Sequence, residues 1–96
     1  MIHIKYSRHE TRLQVRGHAG FAPEGQDIVC AGISALLCAL AMHPLTQDMH
    51  IEHDWMVLLP IAGAEDVMRP YYDMIHAAMQ DIAHQHPLHV CVHDIL

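Results

Sequence analysis

From Ile28 to Met42 the chain reads IVCAGISALLCALAM, without one charged side chain. Gly32 is the only residue in this run that weakens a helix appreciably. The run is shorter than the roughly 20 apolar residues that cross a bilayer, so it reads as a core helix and no membrane partner is expected. A helix that is apolar nearly all round needs cover on several sides. In a chain of 96 residues that cover has to come from a sheet and from a second helix, or from a second copy of the chain. The rest of the sequence is therefore read for the strands and the helix that supply it.

Ile2, Ile4 and Tyr6 alternate with His3 and Lys5, the period-two pattern of a strand with one buried face. Arg8-His9-Glu10 is a polar turn, and Thr11 to Gly17 forms a second strand, with Leu13, Val15 and Gly17 on one face, paired with the first as a hairpin. Helix one follows a loop and ends at His43-Pro44. Thr46 to Asp48 is loop. Met49 to His53 and Met56 to Ile61 read as a hairpin about His53-Asp54-Trp55, and Pro60, which cannot donate to a ladder, belongs at a strand end or edge. Helix two starts near Asp66, after the turn Ala62-Gly63-Ala64. Its apolar face carries Val67, Tyr71, Met74 or Ile75, Ala78 and Ile82, with Pro70 near the first turn or at a kink. Pro87 ends it, and Leu88 to Val92 is a last strand. The expected architecture is one α+β domain over residues 1–96, in the order β-β-α-β-β-α-β, with both helices packed on sheet.

Composition narrows the function. Apolar residues make up 52% and charged residues 17%, which suits a packed globule and not a disordered chain. Five Lys and Arg against eleven Asp and Glu give a net charge of −6. That disfavours direct nucleic-acid binding, which needs a basic surface, while an acidic surface attracts a basic protein partner. Eleven histidines make the charge strongly pH-dependent. Three cysteines without a CxxC pair suggest a reducing, cytoplasmic setting and no disulfide framework. Met1 leads straight into a strand-like run interrupted by Lys5 and Arg8, so no signal peptide is expected. An apolar helix one and a Met-rich helix two hold more hydrophobic surface than a chain of this size comfortably hides, which suggests a homodimer.

The chemistry gathers at the start of helix one. Asp27 is a favoured N-cap residue, its carboxylate accepting from backbone N–H groups two or three residues on. Cys30 then lies in the first turn, where the positive end of the helix dipole favours thiolate over thiol; a nearby Asp27 charge opposes this. His18 ends the second strand. The loop between, Ala19 to Gln26, holds Gly20, Pro23 and Gly25 and is long enough to fold back and bring a strand-end histidine to a helix-start cysteine. A histidine so placed would activate the thiolate, and the loop would serve as a lid. Read from residues alone, two plainer alternatives stand beside this: a small buried hydrophobe for Cys30, and a solvated surface side chain for His18. Ser34, one turn past Cys30, is either bonded back to the helix carbonyls or a polar contact beneath the site. Cys38 is expected to be buried and inert.

Gly17-His18-Ala19, then Gly25-x-Asp27-Ile28-Val29-Cys30-Ala31, then Ser34-Ala35-Leu36 resembles the signature of the ribosomal-processing cysteine protease family, Prp. The resemblance implies that His18 and Cys30 form a catalytic dyad, and that Gly17 to Gln26, with Gly17, Gly20 and Gly25, is a mobile active-site loop. Asp27 and Ser34 would support the dyad. It also implies a homodimer and a protein substrate: a large-subunit ribosomal protein from which a short N-terminal extension is removed, or a related phage structural protein. In that mechanism Cys30 attacks the scissile carbonyl, backbone N–H groups around Cys30 stabilise the oxyanion, and His18 protonates the leaving amine.

Two rival readings remain. One is a non-catalytic binding module for a ribosomal or phage protein. The other is a metal-binding domain built on the tail, where His84, His86, His89, Cys91 and His93 are dense. On a strand, His89, Cys91 and His93 would share a face, and imidazole and thiolate are good zinc ligands. No standard zinc spacing or fourth ligand is visible, so neither a metal nor another cofactor is assigned.

Overall fold

Alternation at the N-terminus builds the middle of the sheet. In the computed structural model of the protein, which describes residues 1–23 and 25–93, β1 (Ile2–Ser7) and β2 (Arg12–Arg16) form an antiparallel hairpin with Ile4 opposite Val15 and Tyr6 opposite Leu13. Helix α1 (Ile28–Ala41) follows, then a second hairpin of β3 (His50–Glu52) and β4 (Trp55–Leu58), helix α2 (Glu65–Gln85) and β5 (Val90–His93). The order β-β-α-β-β-α-β is as expected. One five-stranded sheet runs β3-β4-β2-β1-β5. Only the β1–β5 pairing is parallel; the others are antiparallel.

Both helices cover the same face. Ile2, Ile4 and Tyr6 of β1, Leu13 and Val15 of β2, Leu58 and Val90 form one cluster with Val29, Ile33, Leu37 and Leu40 of α1 and Met68, Tyr72, Ile75 and Met79 of α2. Polar bonds align α2 over the hairpin. The Tyr6 hydroxyl donates to Asp73 (2.7 Å), Arg69 donates to the carbonyls of Arg8 and His9, and the Tyr72 and Thr46 hydroxyls pair inside the core at 3.2 Å.

Three expectations are corrected. The core stripe of α2 is turned by one residue at most positions: Met68, Tyr72 and Met79 are buried where Val67, Tyr71 and Ala78 were expected, Val67 and Tyr71 are exposed, and of the alternatives Met74 and Ile75 the buried one is Ile75. Both stripes are apolar at helical spacing, and the Tyr72, Arg69 and Asp73 bonds select between them. Trp55 belongs to β4, not to the turn. The turn is His53-Asp54, both at positive φ (49° and 69°), the two-residue geometry whose twist suits a hairpin. Helix α1 packs on the sheet and α2 as expected, and its other side, with Ile28 66% and Met42 82% exposed, is uncovered among the described residues. Cys38 lies on that uncovered side and is exposed, since it falls between Leu37 and Leu40 but off their stripe.

The opposite face of the sheet carries no helix. It presents His3 and Lys5 of β1, Gln14 and Arg16 of β2, Trp55 of β4, and Cys91 and His93 of β5, in register across the strands. The Lys5 and Arg16 cations lie 4.6 and 4.7 Å from the Trp55 ring centroid, a cation–π arrangement that shelters the indole. Among the described residues no helix is long and apolar enough to cross a membrane.

Candidate active site

The sheet delivers His18 and the helix delivers Cys30. Strand β2 ends at Arg16, and Gly17 turns the chain away from the sheet at a φ of +93°. A side chain is excluded there, because a Cβ would lie 2.2 Å from the Met1 carbonyl oxygen. His18 is exposed immediately beyond this turn.

Asp27 caps α1. Its Oδ1 accepts from the amides of Val29 (3.0 Å) and Cys30 (2.9 Å), and its Oδ2 accepts from Phe21 (3.1 Å). One carboxylate thus ends the loop and starts the helix. The Cys30 amide above all, with those of Phe21, Ala22 and Val29, holds the Asp27 carboxyl below its usual range against a partial loss of solvation. Both oxygens are engaged by backbone amides, and among the described residues no hydrogen bond joins Asp27 to His18.

Cys30 is half-buried, and the amide of Ala19 donates to its Sγ at 3.3 Å. The other side of Ala19 is also held: its carbonyl accepts from Nδ1 of His89 at 2.9 Å, which places the proton on that nitrogen. Phe21 packs edge-on against His86 and His89, ring centroids 5.3 Å apart in each case. The loop is thereby fastened to the turn before β5 at two successive places.

His18, Gly20, Gly25, Asp27, Cys30 and Ser34 line one open cleft of about 690 Å³, within the roughly 300–1,000 Å³ of ligand sites. Gly17 sits outside it, at the hinge of the loop. Among the described residues no hydrogen bond joins His18 to Cys30. Ser34 is exposed and faces the cleft. The amides around Cys30 that were expected to donate to an oxyanion are engaged within the chain: those of Val29 and Cys30 serve Asp27 Oδ1, and that of Ala31 serves the Asp27 carbonyl (3.0 Å). The amide aimed at the sulfur is Ala19's. Sequence reasoning also missed Phe21, His86 and His89 as loop anchors. Their signal was present in the histidine density of the tail, but nothing local tied that tail to the loop.

A thiol in the first turn of a helix, a histidine on the wall of the same cleft and a backbone amide at the sulfur are the parts of a thiol hydrolase on a small α+β fold. The family described as cysteine protease Prp matches residues 1–91, and the chain belongs to that family. It is a cysteine protease. The fold agrees with that of solved structures. The ribosomal processing protease Prp from S. aureus, in complex with a covalently linked product peptide, is 21% identical at a TM-score of 0.73, over 95% of this chain and 94% of that one. The same protein with a substrate peptide is 20% identical at 0.70, over 97% and 98%. SMU.848 from Streptococcus mutans is 18% identical at 0.67, over 95% and 89%. A search of curated proteins finds no match.

Proposed function

We propose that this protease removes a short N-terminal extension from a large-subunit ribosomal protein, or trims a related phage structural protein, by acyl transfer through Cys30 and His18. The observation that carries the assignment is the cleft in which His18 and the Cys30 sulfur share a wall, with the Ala19 amide already on Sγ. The S. aureus relative, described as a ribosomal processing protease, holds a substrate peptide and a covalently linked product peptide on the same fold, which supports a peptide substrate for this chain.

His18 takes the proton of the Cys30 thiol, and the sulfur adds to the scissile carbonyl carbon. The tetrahedral adduct collapses as His18 gives that proton to the leaving amine. A water molecule, deprotonated by His18, then cleaves the thioester and returns the thiol. His18 and Cys30 are brought into contact when peptide closes the Gly17 to Gln26 loop over the cleft; ligand-free catalytic bonds are commonly loose. Net negative charge (−6) favours encounter with a basic ribosomal protein. The enzyme works in the cytoplasm as a homodimer, and exposed Ile28, Met42, Val67, Tyr71 and Met74 support a second copy as cover.

The test uses the full chain with ribosomal proteins bearing candidate extensions. Cys30→Ala and His18→Ala each abolish cleavage, and Cys38→Ala leaves it intact. Cleavage that survives Cys30→Ala refutes the nucleophile. Tight binding with no cleavage of any partner refutes the protease reading of this copy in favour of a binding module. Sedimentation of the free chain as a monomer at micromolar concentration refutes the dimer.

A further inference from the structure

The helix-free face of the sheet holds a second group of chemically capable side chains, away from the cleft that Cys30 and His18 line. Parallel pairing sets His3 of β1 opposite Cys91 of β5, and Lys5 opposite His93. His3, Cys91 and His93 therefore project from the same side of two adjacent strands. One donor atom from each lies within 4.8 Å of the others. His3 Nδ1 and His93 Nε2 are 3.0 Å apart, and their rings stack with centroids 5.2 Å apart. All three residues are partly accessible. His89, which the sequence grouped with Cys91 and His93, is not part of the group: it precedes β5 in a turn and is bonded to Ala19.

We propose that His3, Cys91 and His93 form a binding site for a borderline-soft divalent cation, zinc, at the outer edge of the sheet. Two imidazoles and one thiolate are a donor set that zinc favours, with tetrahedral geometry and bonds of about 2.0–2.1 Å to nitrogen and about 2.3 Å to sulfur. Those bond lengths put donors roughly 3.3–3.6 Å apart, so the two imidazoles have only to part by a few tenths of an ångström. Water fills the fourth position. Binding displaces one proton, from the Cys91 thiol, and requires both imidazoles neutral; zinc and the thiolate together leave one positive charge. Lys5 and Arg16 face the same side with their cations over Trp55; Arg16 and the N-terminal amine are still close enough to act on His3, a repulsion that the thiolate has to offset. The ion would add a link between the first strand and the last, an edge strand whose backbone pairs only with β1 and whose Val90 packs into the core. It would also steady the turn from which His89 bonds the Ala19 carbonyl.

The test measures metal on the full chain in a Cys30→Ala background, which removes the other thiol that lies near a histidine. Equilibrium dialysis against zinc is expected to leave one equivalent bound. Cobalt is expected to give a thiolate-to-metal charge-transfer band in the near ultraviolet and the intense visible bands of a tetrahedral site. Adding Cys91→Ser abolishes the charge-transfer band, His3→Asn or His93→Asn weakens zinc binding at least tenfold, and Cys38→Ser changes neither. Zinc raises the melting temperature of the Cys30→Ala chain, and the rise disappears with Cys91→Ser. A cobalt complex with no thiolate band in the Cys30→Ala chain, or zinc affinity unmoved by Cys91→Ser and His93→Asn, overturns the proposal and leaves only adventitious binding by surface histidines. The cobalt spectrum needs no tail substitution, so it decides the matter even if a variant fails to fold.

Discussion

Gly17→Ala and Gly63→Ala form a matched pair that isolates one steric contact. The two glycines have nearly the same φ, +93° and +92°. An alanine at either position adopts a conformation that L-residues avoid, at a cost of about 1–3 kcal/mol. Restriction of the unfolded chain returns about 0.4–1 kcal/mol. At Gly63 nothing lies within 4 Å of the added Cβ, so this balance is the whole effect and comes to roughly 0–2.5 kcal/mol. At Gly17 the Cβ meets the Met1 carbonyl oxygen at 2.2 Å and its carbon at 3.3 Å. Those are backbone atoms at the start of β1, so β1 or the Gly17 turn has to move, and overpacking of this kind adds about 1–3 kcal/mol. A domain of this size loses about 4–8 °C of melting temperature per kcal/mol. Gly17→Ala should therefore melt at least about 4 °C below Gly63→Ala. The assay is thermal denaturation of the two variants side by side, followed by peptide cleavage well below both midpoints. The steric shift also displaces His18, the next residue, so cleavage falls in the Gly17 variant and is kept in the Gly63 variant. Equal melting temperatures would refute the account of Gly17 as a forced close approach.

Gly32→Ala should stabilise the fold by about 0.5–1 kcal/mol, because the added Cβ lies at ordinary contact, 3.6 Å, from Ile82 Cδ1; a lower melting temperature would show that α1 and α2 have no room to spare. His89→Ala removes the bond to the Ala19 carbonyl and an edge contact to Phe21. It is expected to lower kcat/KM several-fold and slow alkylation of Cys30, while stability falls by no more than about 1.5 kcal/mol; unchanged kcat/KM would remove His89 from the positioning of the loop. Burial first, then the Asp73 carboxylate that accepts its proton, pushes the Tyr6 hydroxyl well above its ordinary value. The folded chain thus keeps a proton that the unfolded chain loses above about pH 10, so stability is full below that pH and declines as pH rises. In Tyr6→Phe this decline should be shallower, as measured by urea denaturation between pH 8 and 11; an identical slope would refute the role of Tyr6.

Local pattern was enough for much of the chain. The alternation Ile2-His3-Ile4-Lys5-Tyr6 specifies a strand and its buried face, and Asp27 before an uncharged run specifies a cap and a helix. The structure bears out both. Element order follows, because each signal acts over a few residues. Local pattern fails where two faces are equally apolar. Val67, Tyr71 and Met74 are as well spaced as Met68, Tyr72, Ile75 and Met79, and only the bonds from Tyr72 to Thr46, from Arg69 to Arg8 and from Tyr6 to Asp73 pick the second set. Cys38 fails for a related reason: an all-apolar helix does not say which side the sheet takes.

The candidate site divides the same way. His18, Asp27 and Cys30 were legible because they sit in one short segment whose residue types each have a local physical role. Cys91 and His93 were legible as a pair on one strand face; the Ala19 amide on Sγ, the His89 bond behind it, and His3 in place of His89 beside Cys91 and His93 were not. Their partners are far apart along the chain, and periodicity carries no information about which distant strand becomes a neighbour. By itself the sequence determined the kinds of elements, their order and the residues able to do chemistry. Only the tertiary structure decided which faces met, because those choices rest on pairing between β1 and β5 and between the loop and the last turn, where the free energy is shared by groups at opposite ends of the chain.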